Sequence, residues 1–429
     1  MLALPNLSLY DPPTSSEGTI DPLGLYQIAD QLATRLVPAV RERMQRIRFL
    51  TAMSVGALVT EGLEADPEQP ECPPFLVWEW LVVESLIRSS DDEALLRGVP
   101  GTLVTRRALA NHNYLDSRSY LKTPRIIGFH GVYKRLAVHL GLVDVHLGAG
   151  SLCEELADAW AKDQGFQGYR GAKQRLEEWK RAVRRGLAQQ PCRTRPGWNL
   201  GVWGQLATAM HPDQAGKHER KVLQQLLHSE DERALGALPA IWRLQTEFMA
   251  DGYTEESLHT RLKETLPSVR TLLDAIVAYE DFCRGLFDGF DLIRFSASGQ
   301  DSRGFEVASI GKESDFVDSL KHLDARYEEA RSRLHDVDSQ LASFFDERFA
   351  RFAEPMNAAE SARAICEHHE NIQKAKSAEG KRPWFDRLDP ARIYMRHRYR
   401  LSDREIQPSR YVHDYRGKPL RNFYLDLNH

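Results

Sequence analysis

The sequence is short of cysteine and has no paired cysteines. Cys72, Cys153, Cys192, Cys283 and Cys366 lie far apart in a chain of 429 residues and form no CxxC. That argues against a zinc ribbon, a dithiol redox pair or a disulfide scaffold. No run reaches the roughly 18 apolar residues that a membrane span needs. Residues 1–25 hold Asp11, Glu17 and Asp21 but no base and no apolar core of signal-peptide length. A cytoplasmic protein without a membrane partner is the expectation. Catalytic spacings are missing as well. There is no GxxxxGKS or GxxxxGKT, no GxGxxG, no HExxH and no GxSxG, which argues against a nucleotide hydrolase, a dinucleotide enzyme, a metalloprotease and an α/β-hydrolase. Neither an internal repeat nor a low-complexity run occurs.

What is present is an ordinary globular composition, 42% hydrophobic and 28% charged, with enough Leu, Val and Trp to build cores. Net charge is only −4, yet it is strongly segregated. Residues 102–146 carry seven bases against two acids, 166–196 nine against two, and 374–429 fourteen against seven. The remaining stretches are acidic. Because salt confines each charge to about 8–10 Å, such local blocks matter more to a polyanionic partner than the total does.

Apolar spacing indicates a mainly α, multi-domain protein. Asp21-Pro22 is a good helix start, followed by Leu25, Ile28, Leu32 and Leu36 at helical spacing. A proline-rich loop, 66–74, precedes an apolar helix containing Trp78 and Trp80, both expected in the core. Four segments are expected: an acidic helical domain over 1–101, a basic helical domain resembling a helix-turn-helix over 102–200, an acidic helical domain over 201–356, and a basic aromatic segment over 357–429.

The clearest pattern lies in the third segment. Phe316, Leu320, Leu323, Tyr327, Ala330, Leu334, Val337, Leu341 and Phe344 alternate steps of four and three, which predicts one apolar seam along roughly 45 Å of helix. Upstream, Val269, Leu272, Ile276, Tyr279, Cys283 and Leu286 step similarly. A coiled-coil-like antiparallel hairpin within one chain is the economical arrangement, with self-association as its competitor. Between the two helices, Leu292, Ile293, Phe295, Phe305 and Val307 suggest a small β-hairpin at the tip.

Three groups of bases are candidates for phosphate contact. Lys173, Arg175, Lys180, Arg181, Arg184 and Arg185 fall on a helix whose other face carries Leu176, Trp179, Val183 and Leu187. Lys134 and Arg135 lie on a short helix that could approach a major groove. Arg396, Arg398 and Arg400 alternate with Tyr394 and Tyr399, a mixture that can stack bases beside phosphates. The first group fits a solvated helix equally well, a solvated basic face is the stronger reading of the second, and the third equally fits a segment docked on an acidic neighbour of the same chain.

For chemistry, Asp288 or Asp291 with Glu306 could hold a metal on adjacent strands, but Ala308 stands where the accompanying lysine is expected. Arg363 and His368, an Arg-x4-His on one helix, form a motif that resembles that of helical HEPN ribonucleases, departing from it at Ala364. The resemblance implies an arginine that stabilises phosphorane charge and a histidine that moves the 2′-hydroxyl proton. Similar spacings recur at Arg107–His112 and Arg392–His397.

The expected function is therefore that of a non-catalytic subunit that binds nucleic acid, duplex DNA first, and a protein such as a helicase or nuclease in a bacterial multi-protein system of the phage-defence kind. A metal-independent ribonuclease using Arg363 and His368 is one alternative, and a pure assembly scaffold the other. No cofactor or metal is expected.

Overall fold

A computed structural model describes residues 21–90, 96–111, 114–194, 200–228, 236–249, 252–300, 303–376, 381–403 and 410–428. The protein is mainly helical with one small antiparallel sheet. Contacts gather it into two compact units, Met1–Arg35 with Thr254–Tyr415 and Leu36–Tyr253 with Arg416–His429. Helix α1 spans Tyr26–Leu36, and all but its last residue belongs to the first of these units. Among the described residues no helix is long and apolar enough to cross a membrane.

The unit containing Leu36–Tyr253 is built around α2 (Phe49–Thr60), which is buried from Phe49 to Val59. Such a helix, apolar on all sides, must sit inside other helices. It is packed by α3 (Pro74–Ser89), α6 (Phe129–His139), α7 (Cys153–Asp163) and α8 (Gly168–Leu187). The short helices α4 (Thr102–Ala110) and α5 (Pro124–Ile127) precede α6. Trp78 and Trp80 are fully buried, as expected. Trp78 donates from Nε1 to the Ala52 carbonyl at 2.9 Å and meets Trp179 at a centroid distance of 5.8 Å, with Trp160 6.0 Å beyond. Gly56 makes this approach possible, because a Cβ there would lie 2.5 Å from the Trp78 nitrogen. The unit continues through α9 (Leu200–Ala209), α10 (Lys217–Leu227) and α11 (Leu238–Arg243).

In the other unit, α12 (Glu255–Thr265) leads into the 29-residue α13 (Arg270–Ser298). The expected continuous seam is realised by three helices, α14 (Ser314–Ser319), α15 (Leu323–Val337) and α16 (Ser339–Phe349). His322 takes a left-handed conformation at φ 57° before α15. Asp338 is extended and caps α16 by accepting from Gln340 N at 2.8 Å, so each break has a local cause. The seam still points inward, with Phe316, Leu323, Tyr327, Ala330, Leu334 and Leu341 buried. Phe282 meets Tyr327, Gly285 neighbours Leu323 and Gly289 neighbours Leu320. Sequence numbers rise on one helix as they fall on the other, so α13 and α15 are antiparallel.

The hairpin expected between them is not there. Leu292, Ile293 and Phe295 continue α13, because the helix runs unbroken to Ser298. Only Phe305–Glu306 is a strand, β1, at the edge of a sheet of order β1-β3-β2, with β2 at Phe385–Arg387 and β3 at Arg392–Met395. Phe305 pairs with Ile393, and Phe385 with Met395. The hairpin of the fold is thus β2–β3, whose turn is held by Asp389 accepting from Ala391 N and Arg392 N, both at 2.8 Å. Between β1 and β2 lies α17 (Ala358–Ala375), started by an Asn357–Glu360 capping box. Helix α18 (Gly417–Asn428) belongs to the Leu36–Tyr253 unit.

Candidate nucleic-acid interface

Helix α8 owes its position to its first turn and its buried stripe. Gly168, at φ +71°, sits where a Cβ would come within 2.3 Å of Asp158 Oδ1, and that carboxylate accepts from Tyr169 N at 2.9 Å. Ala172, Leu176, Trp179, Val183 and Leu187 then bury one face. At 100° per residue, the opposite face takes Lys173, Lys180, Arg181, Arg184 and Arg185 within an arc of about 140°. All are exposed except Lys180, which is half-buried. Among the described residues none of the five forms an ion pair. Arg181 makes only a 3.3 Å hydrogen bond to the Glu177 carbonyl. A helical ridge of side chains some 18 Å long at 1.5 Å per residue, with the exposed Glu177 its one acid, is therefore cationic and without an ion pair among the described residues.

Two details differ from expectation. Arg175 lies outside the arc, half-buried, and pairs with Glu178 Oε2 at 2.7 Å while donating to the Gln205 side chain. Arg170, not anticipated as a site residue, is exposed in the centre of the arc and forms no ion pair among the described residues. Its position three residues before Lys173 on the same face is the signal that would have found it.

On α6, Arg135 is exposed and Lys134 half-buried, neither of them ion-paired among the described residues. The helix does not offer its N-terminus as a recognition helix would. Phe129, His130 and Val132 are buried, and His130 is held by Glu79, which accepts from the backbone N at 3.0 Å and from Nδ1. Glu79 also accepts from the Tyr120 hydroxyl at 2.8 Å, where burial and the carboxylate push the Tyr120 pKa well above its ordinary value. These buried groups fix α6 onto α3. Arg135 is the one exposed position of α6.

The C-terminal candidates are engaged by their own chain. Arg396 is 2% exposed, donates to the Pro383 carbonyl at 3.2 Å and lies over the Tyr399 ring. Tyr399 is itself buried, stacked on Trp384 at 4.8 Å and an interplanar angle of 2°, and Arg294 covers Trp384 at 5.1 Å. Arg398 is exposed beside Tyr399, whereas Arg400 donates to the Met395 carbonyl at 3.2 Å and covers the half-buried Tyr394. Neighbouring bases are paired too: Arg387 with Glu370 at 2.7 Å, Arg392 with Asp389 at 2.7 Å and Arg410 with Asp281 at 2.5 Å. The expectation of a free base-stacking platform is corrected accordingly. The rings face arginines and rings of the same unit, because burying both in one stack satisfies apolar faces and cations together.

Arg363 and His368 are not brought together. Five residues apart on α17, they point about 140° away from each other around the axis. Arg363 is exposed, and His368 is buried, donating from Nε2 to the Leu23 carbonyl at 2.8 Å and packed against Phe349 and Phe352. Burial lowers its pKa to about 4. His369 is equally structural. Its Nε2 accepts from Trp384 N at 2.9 Å and its Nδ1 donates to the Pro22 carbonyl at 2.9 Å, with the pKa lowered to about 3 by burial. Asp288 and Asp291 lie on α13 and pair with Arg284 and Arg294 at 3.3 and 3.4 Å. They are helical residues, so no pair of strands places them beside Glu306. Of Arg107–His112, His112 lies outside the described residues.

Compared with protein families, with curated proteins and with solved structures, the chain matches none.

Proposed function

We propose that this protein is a non-catalytic nucleic-acid-binding subunit, that duplex DNA is the polymer, and that the exposed arc of α8 grips its phosphates. One observation carries this: Arg170, Lys173, Lys180, Arg181, Arg184 and Arg185 line one helical face and, among the described residues, form no ion pair, with the exposed Glu177 the one acid of α8 within their arc. Duplex DNA carries one negative charge per roughly 1.7 Å of axis, so a cationic row of this length meets several phosphates at once. Such contacts position a protein without reading sequence. Lys134 and Arg135 supply a lesser contact of the same kind.

A protein partner, such as a helicase or nuclease subunit of a bacterial multi-protein system like phage defence, would supply the motor and cleavage motifs this chain lacks. Exposed apolar side chains favour such a contact, Leu103 at 76%, Val145 at 60% and Ile126 at 57% exposure. The ribonuclease alternative has no comparable support, because its arginine and histidine face opposite ways.

The test is a salt titration of duplex binding. Six phosphate contacts give a log-log slope of about −5. A duplex that causes no shift at ~50 mM salt removes the proposal and leaves the assembly scaffold. RNA cleavage by the wild type that His368→Ala abolishes without unfolding would instead revive the enzyme.

A further inference from the structure

We propose that Glu280, Cys283 and His413 form a zinc-binding site that fastens residues 410–415 to α13. One carboxylate oxygen, the thiol sulfur and one imidazole nitrogen lie within 4.8 Å of one another. Glu280 and Cys283, three apart, share a face of α13, and His413 comes from the chain 130 residues onward. Both helical ligands are completely buried, and the His413 side chain is 10% exposed, which leaves an edge for an ion to enter.

The chemistry favours a divalent cation of intermediate softness. Sulfur, nitrogen and oxygen together are a zinc set, with bonds of about 2.0–2.3 Å. A tetrahedron with such bonds has edges of roughly 3.3–3.8 Å, so the observed separations need only about an ångström of side-chain adjustment. Glu280 is also a carboxylate taken wholly out of water that, among the described residues, has His413 and no lysine or arginine paired to it. Its partners are His413 Nδ1 at 2.7 Å, the Tyr415 hydroxyl at 2.6 Å, Val412 N and, more distantly, His413 N at 3.4 Å. A buried charge wants a compensating one, and a zinc ion supplies it. Tyr415 and the Val412 amide would stay on the carboxylate as its outer partners, holding it in place. The His413 ring is already oriented, stacked on Tyr279 at 6.3 Å and 20°.

The proton balance is simple. Zinc replaces the Cys283 thiol proton, which leaves to solvent. The Nδ1 proton that His413 gives to Glu280 moves to Nε2 where that nitrogen is bare and otherwise leaves to solvent, so that the ring presents its Nδ1 lone pair and carries a single proton on Nε2. Three protein ligands leave the fourth position to water.

The experiment uses the full chain, stripped with a chelator and titrated with Co²⁺ and then Zn²⁺ under a non-thiol reductant. Expected are one Co²⁺ per chain with a thiolate-to-cobalt charge-transfer band, its displacement by Zn²⁺, and a rise in the unfolding midpoint with Zn²⁺. Cys283→Ala should abolish the band and weaken Zn²⁺ binding at least ~100-fold, while Cys366→Ala, at another buried cysteine of the same unit, should change neither. Should Cys283→Ala lose its helical circular dichroism, His413→Gln at the exposed edge decides, with the same loss of affinity expected. A wild type that takes up no Co²⁺, or a thiolate band that survives Cys283→Ala, overturns the site.

Discussion

Helix α8 and the segment 381–415 are both rich in bases, and their surroundings are opposite. On α8 the buried stripe and the basic face alternate at helical period, so folding forces Lys173, Lys180, Arg181, Arg184 and Arg185 outward as a group. In the described residues of 381–415 the bases sit in short strands and turns beside rings and carboxylates, and the fold engages them one at a time: Arg396 buried over Tyr399, Arg387 on Glu370, and Arg392 at the surface on Asp389. A count of charge cannot separate a ligand surface from an internal dock. What separates them is whether the cation is held in an ion pair or over a ring.

The largest test of that contrast removes the ridge. Replacing Arg170, Lys173, Lys180, Arg181, Arg184 and Arg185 together by alanine should reduce duplex affinity at ~50 mM salt on the order of 10³-fold and take the salt slope from about −5 toward zero, as read by fluorescence anisotropy. Arg184→Ala alone should lower the slope by about 1. An unchanged slope in the sextuple variant would erase the distinction between the regions.

Next in size, Arg396→Ala should cost roughly 2–3 kcal/mol of stability in urea unfolding, because a buried stacked side chain and its bond to Pro383 go together. Its duplex-binding slope should match the wild type. A lost slope with intact stability would return Arg396 to the interface.

Acid should loosen the inward-turned segment. His369 has a native pKa of about 3 and bonds Trp384 N as a neutral imidazole, whereas an unfolded histidine titrates near 6.5. Because the native value is the lower one, this histidine costs nothing above about pH 6.5. As pH falls below that, the unfolded chain binds a proton the native state refuses, until the native state also titrates near pH 3. At pH 5 the loss is about 2 kcal/mol. Urea midpoints measured at pH 7 and 5 should differ in that direction, and His369→Gln should flatten the dependence.

The smallest effect concerns a surface pair. Arg392→Ala breaks a half-exposed contact with Asp389 and should change stability by no more than about 0.5 kcal/mol with no change in binding. A larger loss would show that the turn of β2–β3 depends on the pair rather than on the Asp389 backbone bonds.

Much of the helical architecture was legible because periodicity is local. The α8 stripe, the inward seam from Phe316 to Leu341 and the buried Trp78 and Trp80 all follow from spacing and size. Three things were not. The seam breaks at His322 and Asp338, where a single backbone conformation interrupts a pattern that steps of three and four carry straight through. β1 finds its partner in β3 nearly ninety residues later, and no local alternation reports that. The Arg363–His368 spacing matches a catalytic motif locally, but burial of His368 and exposure of Arg363 separate the two side chains, and no spacing reports burial.

The order of residues alone determined that this chain is helical, that α8 carries its bases on one side, and which faces are apolar, since each depends on neighbours within a few turns. Only the tertiary structure decided which cations remain unneutralised and that Glu280 and Cys283 meet His413. Both depend on charges and donors far apart in sequence, and the energy of a buried carboxylate or a free arginine is set by what lies within a few ångströms of it.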